Sequence, residues 1–580
     1  MMNTKSLRKL SLAVGTTAFL VGCNGLGKMV KKQSTITYEA KPNPLEMHAD
    51  SVGFSVSGKF PIKYFNKKAT VTLTPVLKYN GTEKTLKPVV LIGDKAVGSG
   101  QKISFDKGGS FSYTSEKFAY EPGMKVSEVE LRAQAGIKKK SKDFTTVKLA
   151  DGTIITPLLV RHDEKATYAK DAFVKVVPAN QSGSLYYTVN KSDVRSSELK
   201  NAEMKQIQDF IKANFSNSSY EFKDITVSAY ASPDGEQSLN AHLAEDRAKS
   251  ASKALMTEFK KDKNKEQTFG KEESQFKIKT TAEDWDGFKS LMESSAIADK
   301  DLILRVLTMY TDLDQREKEI KNLSKTYTEV SEKILPKLRR AVLTLNVDKK
   351  SRNDEQITKL MTSTPDSLSI EELLYGGNLT NDVNTKIQVY TSAEKQYPTD
   401  WRASNNLGVA LLMNNKIAEA GEAFKRAEKT ANGNPMVMNH LGIIAAKTGD
   451  SKKAMEYYDK ANGAGKEVNY NKGILNIREG KYTDAVSNFG DYKGFNKALS
   501  ELLNGNAGAV SGTIDASNEK DMALSSYLKA VAAARGGNTA EVVKNLKVAI
   551  EKDGSLKASA KDDAEFIKLR ENADFKGLVN

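Results

Sequence analysis

Cysteine is nearly missing from this chain, since Cys23 is the only one among 580 residues. No intrachain disulfide can form, so stability has to come from buried apolar surface and hydrogen bonds. Histidine is almost as scarce. His48, His162, His242 and His440 stand far apart in unlike contexts, which excludes a His-rich metal spacing. There is neither a Gly-x-Ser-x-Gly elbow nor a phosphate loop, and a non-enzymatic role is expected. Long apolar runs are missing too, apart from Leu10 to Val21, which is too short to remain in a bilayer as a finished span. The 88 basic residues exceed the 73 acidic ones, but the positives are spread among acids and no nucleic-acid module is recognisable. Nucleic acid is therefore not an expected partner. A solvated Lys-rich surface accounts for the surplus, with an anionic envelope polymer or membrane surface as the next reading.

What is present begins at the N-terminus. Lys5, Arg8 and Lys9 precede the apolar run, which ends in Leu20-Val21-Gly22-Cys23. This ending resembles a bacterial lipobox. The resemblance implies a lipoprotein signal peptide over residues 1–22 and a diacylglycerol on Cys23, with no other cofactor, anchoring the protein without a transmembrane helix. Residues 23–33, from Cys23 through Lys31-Lys32, read as a polar tether. Asn24 does not resemble an inner-membrane retention signal. The tether also lacks the acidic cluster that the surface-export signal of Bacteroidetes lipoproteins resembles. The outer membrane, with the protein facing the periplasm, is the expected place.

Residues 34–150 read as a β-sandwich. Phe54 and Val56 alternate with polar neighbours, as do Val71 with Leu73, and Val129 with Leu131 and Ala133. Turn signals recur at Asn80-Gly81, Gly108-Gly109 and Pro122-Gly123. Lys138, Lys139, Lys140 and Lys142 read as a solvated hairpin tip. A β connecting segment is expected over residues 151–184.

The informative stretch comes next. Asp224 to Tyr230 is an alternating strand, Ser232-Pro233-Asp234-Gly235 a turn, and Asn240 the expected opening of a helix that reaches Phe259. Arg247, seven residues after Asn240, lies near the same helix face, so turn polar groups, a helix end and one cation would form an anion pocket. These residues resemble the OmpA-like peptidoglycan-associating domain in its Bacteroidetes form, whose pattern is a Gly-containing turn, Asn-x-x-Leu and Arg-Ala. The resemblance implies an α+β sandwich over residues 185–348 with a helical insertion built around Trp285, Phe288, Leu291, Leu302, Leu304 and Tyr327. Pro336, Lys337, Arg339 and Arg340 precede its last strand. It also implies that Ser232, Asp234, Asn240 and Arg247 bind the peptidoglycan stem peptide. The gapless match puts Ser232 where the family has an Asp; Asp234 or Ser232 would accept from the ligand amine, Arg247 would pair with its carboxylate, and Asn240 would hold the loop.

A hydrophilic linker, residues 349–367, leads to a repetitive region. Leu407-Gly408 recurs as Leu441-Gly442, Ala420 as Ala454, and Tyr390, Phe424 and Tyr458 follow each other at the same interval, as do Ala393, Ala427 and Ala461. These small and large positions match the tetratricopeptide repeat, and residues 368–580 read as an α-solenoid of such repeats, with a third, shorter copy at Gly473, Ala485 and Phe489. Its concave groove would take an extended partner segment through Asn406, Val409, Asn439, His440, Ile443 and Tyr470.

The fold expected is therefore multidomain α+β: a sandwich, an OmpA-like domain and a solenoid. Two functions compete. The first is an outer-membrane lipoprotein that links the membrane to peptidoglycan and recruits an envelope protein through its repeats. The alternative is a scaffold subunit of an outer-membrane assembly, secretion or surface-appendage machine, in which the OmpA-like domain no longer binds peptidoglycan.

Overall fold

The computed structural model describes residues 25–264 and 266–580; Cys23 and the leader lie outside the described residues. The chain divides into two compact units, one formed by Met1–Ala169 with Pro398–Asn580 and the other by Lys170–Tyr397.

The first unit opens with a difference from the sequence reading. The expected tether folds from Gly25 to Lys31 as a helix whose Leu26 and Met29 enter the sandwich core at 4% and 1% exposure. Two apolar residues at i and i+3 share one helix face, a stripe too short to stand out among Lys28, Lys31 and Lys32. Behind it, the strand Thr70–Tyr79 pairs antiparallel with Ser127–Ile137 along its whole length. Val71, Leu73, Val129, Leu131 and Ala133 alternate into the core as their spacing requires. Asn80 and Gly81 both take positive φ, 47° and 72°, and turn Thr70–Tyr79 into its hairpin partner Thr82–Thr85. A second sheet orders Thr37–Lys41, Ser55–Phe60 and Gly109–Thr114, and its Val56, Phe60 and Phe111 close the same core.

In the same unit the helices pair as Trp401–Met413 with Ile417–Ala431, Pro435–Lys447 with Ser451–Lys460, and Lys466–Arg478 with Tyr482–Phe489. A Cβ on Gly408 or Gly442 would stand 2.5 Å from the ring of Phe424 or Tyr458, and one on Gly473 would stand 2.7 Å from that of Phe489. Each glycine thus admits the aromatic ring that fills its helix pair, which is why the small and large positions repeat together. At the far end Phe566 and Phe575, both within 1% of full burial, cap the stack.

The expected β segment over residues 151–184 is mostly not a strand. Thr153–Ile154 pairs briefly, parallel to Leu45–Glu46, and a single 3-10 turn follows over Thr156–Leu159. Residues 160–169 then run without regular structure until the second unit, where pairing resumes at Val176–Tyr186. Alternation signals an extended chain, not the partner that satisfies it.

The second unit holds a four-stranded sheet in the order Val176–Tyr186, Arg340–Lys350, Tyr220–Tyr230, Phe276–Thr281. All neighbours are antiparallel except the last pair. Ile225, Val227 and Ala229 alternate with Leu343, Leu345 and Val347 beneath the helices Ala202–Asn214 and Gln237–Lys260. Between the third and fourth strands of the chain lies a helical insertion with its own core of Phe288, Met292, Ile303, Ile320 and Val330. The expected linker contains a helix, Asp354–Ser363, capped by Asn353 and fixed by the buried pair Ile357 and Met361. One i, i+4 pair within a polar stretch gives too little periodicity to announce it.

Candidate functional site

The first candidate is the turn after Tyr220–Tyr230. The helix that follows starts at Gln237, with Glu236 as its cap, three residues earlier than expected. Asn240 lies inside it, donating its backbone N–H to the Glu236 carbonyl at 3.0 Å. Its side-chain amide donates to the Gly235 carbonyl at 3.2 Å and to Glu283 Oε1 at 3.4 Å, so it fastens the turn to the insertion.

Arg247 is 1% exposed. Its Nε donates to the Lys191 carbonyl at 3.0 Å, Nη1 to the Tyr230 carbonyl at 2.9 Å and Nη2 to the Thr188 carbonyl at 3.5 Å. The guanidinium also sits 5.2 Å over the Tyr187 ring. Burial brings its pKa down to about 10. Its geometry clasps the end of the signature strand to the loop after Tyr187, with backbone carbonyls where a ligand carboxylate was expected.

Asp234 meets a different cation. Arg339 Nη2 donates to Asp234 Oδ2 at 2.8 Å and Arg339 Nε to Ser232 Oγ at 3.2 Å. The Ser232 hydroxyl in turn donates to Asp234 Oδ1. Arg340, the next residue, pairs with Asp284 at 2.8 Å and lies 4.5 Å over the Tyr230 ring. The sequence placed Arg339 and Arg340 at the entry to the last strand, but their role needed the sheet order, which brings residue 339 beside residue 234.

The second candidate is the solenoid groove, and part of it is already occupied by the chain itself. Residues 160–169 run along it as a strap, and side chains from successive helix pairs read their backbone. Asn406 accepts from the Ala169 N–H at 2.7 Å and donates to its carbonyl at 3.0 Å. His440 Nε2 accepts from the Thr167 N–H at 3.0 Å. Asn471 accepts from the Lys165 N–H at 2.7 Å and donates to its carbonyl at 3.0 Å, with Asn439 donating to the same carbonyl at 3.1 Å. Asn496 accepts from the Arg161 N–H and donates to the Arg161 carbonyl, both at 2.9 Å. Asn406, His440, Asn471 and Asn496 each stand two residues before the small residue of their helix: Gly408, Gly442, Gly473 or Ala498. Residues 165, 167 and 169 alternate toward the helices, the period of an extended chain.

Side chains lock the strap further. Tyr470 donates to Asp163 Oδ1 at 2.8 Å, and Arg161 pairs with Glu519 at 2.5 Å. Burial would push the Glu164 carboxyl up, but the Lys447 ammonium at 2.7 Å, with the His162 ring nearby, outweighs it and holds its pKa at about 2. His440 is fully enclosed, and desolvation lowers its pKa to about 3, which keeps Nε2 free of a proton and able to accept. Its Nδ1 faces Asn405 Oδ1 at 2.8 Å. Of the six residues expected to meet a partner, Asn406, Asn439, His440 and Tyr470 therefore meet residues of their own chain. Val409 and Ile443 are buried at 1% and 0% exposure and present no side chain to any partner. The sequence reading missed Asn496, whose repeat departs from the regular interval.

Beside the strap the groove stays open as a hollow of about 790 Å³, lined by Tyr470, Phe489, Tyr492, Lys165, Lys466 and Lys493. No group of three or more His, Cys, Asp or Glu side chains that could hold a metal occurs among the described residues. No described helix is long and apolar enough to cross a membrane.

Comparison with known proteins agrees with the solenoid. Residues 387–435 match the tetratricopeptide repeat family. No curated protein matches the chain. Among solved structures, YrrB, a tetratricopeptide-repeat protein with an unusual peptide-binding site, is 19% identical at a TM-score of 0.21, covering 35% of this chain and 94% of its own. PilW, a type IV pilus biogenesis factor, is 14% identical at a TM-score of 0.26, with 40% and 100% covered. MamA is 15% identical at a TM-score of 0.20, with 35% and 95% covered. Residues 387–435 are thus a tetratricopeptide-repeat segment within the helical repeat region.

Proposed function

We propose that the chain is a non-enzymatic scaffold of the outer membrane, anchored by diacylglycerol on Cys23, facing the periplasm, and recruiting an envelope protein through its repeats. The observation that carries this reading is the hollow beside the strap. It is floored by repeat residues and walled by residues 165–167, with aromatic rings at Tyr470 and Tyr492 and cations at Lys165, Lys466 and Lys493. Such a lining suits a partner segment that carries an acid and an apolar side chain. Crosslinking in intact cells followed by co-purification tests it. A partner retained by the natural chain and lost with Tyr492→Ala plus Lys493→Glu supports the reading; a partner unaffected by that change removes it.

A second reading keeps the OmpA-like resemblance in full and has the chain also grip peptidoglycan. The Asp234–Arg339 pair favours it. The two side chains retain 17% and 12% exposure, and a stem-peptide residue with one free amine and one free carboxylate could exchange into them. Asp234→Asn and Arg339→Gln should each weaken partitioning onto purified sacculi, and equal partitioning of variant and natural chain would leave the scaffold alone. One contact of this kind contributes about 2 kcal/mol, so many tethered copies facing one polymer would be needed.

A further inference from the structure

We propose that one face of the β-sandwich, formed by the Gly25–Lys31 helix and the hairpin around Lys138–Lys142, lies on a membrane surface and is held there by anionic phospholipid headgroups. Seven lysines meet on this face: Lys28, Lys31 and Lys32 from the start of the chain, and Lys138, Lys139, Lys140 and Lys142 from the hairpin. All seven are exposed, and among the described residues none is in an ion pair. The two segments are joined. A Cβ on Gly27 would stand 3.8 Å from Lys142 Nζ, Gln33 exchanges side-chain hydrogen bonds with the backbone of Thr145, and the hairpin turns at Lys138 with φ 53°. The nearby acid, Asp143, accepts from Gln134 at 2.8 Å, and one negative charge leaves the seven positive ones in excess.

The helix cannot swing away from this patch. Leu26 and Met29 are buried in the sandwich, and the Tyr64 hydroxyl donates to the Met29 carbonyl at 2.6 Å. Gly25, the first described residue, therefore lies within the basic patch. Clusters of four to eight lysines so placed bind anionic headgroups, each lysine strengthening partitioning about fivefold. No exposed aromatic ring interleaves the seven, as stacking against single-stranded nucleic acid would require. Headgroup binding by the lysines needs no acyl chain on Cys23. Where Cys23 is acylated, a clause that rests on the lipoprotein reading, only Asn24 separates the anchor from the helix, and the patch and acyl chains act together as the two signals stable anchoring takes.

The test uses the mature chain with Cys23→Ser, which carries neither leader nor acyl group, and sedimentation with lipid vesicles. The chain should sediment with vesicles containing phosphatidylglycerol and stay in solution with pure phosphatidylcholine, and high salt should release it. Reversing Lys28, Lys31, Lys139 and Lys140 to Glu should weaken partitioning at least about a hundredfold. Reversing four exposed lysines elsewhere, Lys429, Lys520, Lys547 and Lys561, should leave it nearly unchanged. Equal binding to both vesicle types, equal losses in the two charge-reversed variants, or capture by duplex DNA but not by anionic vesicles would each overturn the proposal. Loss of lipid attachment in cells with vesicle binding intact would instead fault the lipoprotein reading alone.

Discussion

The groove and the turn fasten backbone in the same way with opposite chemistry. In the groove, neutral amides at Asn406, Asn471 and Asn496 each both accept from and donate to one strap residue. In the turn, a buried cation, Arg247, can only donate, and it collects two carbonyls from the loop after Tyr187 and one from the end of the signature strand. An amide pair replaces the hydrogen bonds a strand neighbour would make and leaves no charge behind. A guanidinium holds more tightly per side chain, because charge-assisted bonds are the stronger class, but its removal strands its acceptors. The lesson is that polar residues in a recognisable motif can be consumed by the fold. A binding test on either site must avoid the fasteners.

Four measurements would break or sharpen this contrast. The largest effect is expected from Arg247→Ala, which should destabilise the second unit by about 4 kcal/mol, read by pulse proteolysis of that unit. A loss under 1 kcal/mol would show that the cation is not a clasp. Next, Asn406→Ala strips both backbone bonds from Ala169 and should cost about 2 kcal/mol, with faster tryptic cleavage after Arg161, Lys165 or Lys170. Unchanged cleavage would mean that the strap is held by its flanks.

The third measurement concerns pH. The folded pKa of His440, about 3, lies below its ordinary value near 6.5, so the folded state stays neutral while the unfolded state takes up a proton. Stability is then fully present above pH 6.5 and falls as pH drops toward 3. Between pH 7 and pH 5 the loss from this group should be about 2 kcal/mol. His440→Asn, which copies the residue at the matching place in the neighbouring repeats, should flatten that slope. A slope that survives the substitution assigns it to other groups. The smallest effect belongs to the mostly buried ion pair at the rim of the turn. Removing both members of the pair, Asp234→Asn with Arg339→Gln, should cost about 1 kcal/mol, since neutralising both together leaves no unpaired charge behind. That is why those two residues, and not Arg247, are the clean probes of peptidoglycan binding.

Much of this was legible along the chain. The alternation at Val71, Leu73, Val129 and Leu131 named the sandwich face, and the regular interval linking Leu407-Gly408 to Leu441-Gly442 named the solenoid, because both signals repeat with the geometry that buries them. The asparagines of the groove were legible as positions and misread as a vacancy. Nothing in a linear sequence says that Lys165 will come to lie against Asn471, because that contact spans 306 residues. Arg339 was visible as a cation before a strand, yet its partnership with Asp234 spans 105 residues and exists only once the last strand inserts beside the signature strand. Short buried stripes, Leu26 with Met29 and Ile357 with Met361, fell below what periodicity can register.

By itself the sequence determined the local grammar: which stretches alternate, which repeat, where a glycine must make room for a ring. Those features follow from covalent geometry and side-chain volume, and they act over a few residues. Only the tertiary structure decided what each polar side chain would hold. A buried amide or guanidinium must be satisfied by whichever backbone lies within about 3 Å. In this chain that backbone came from hundreds of residues away at the groove, and from the loop after Tyr187 and the end of the signature strand at the turn.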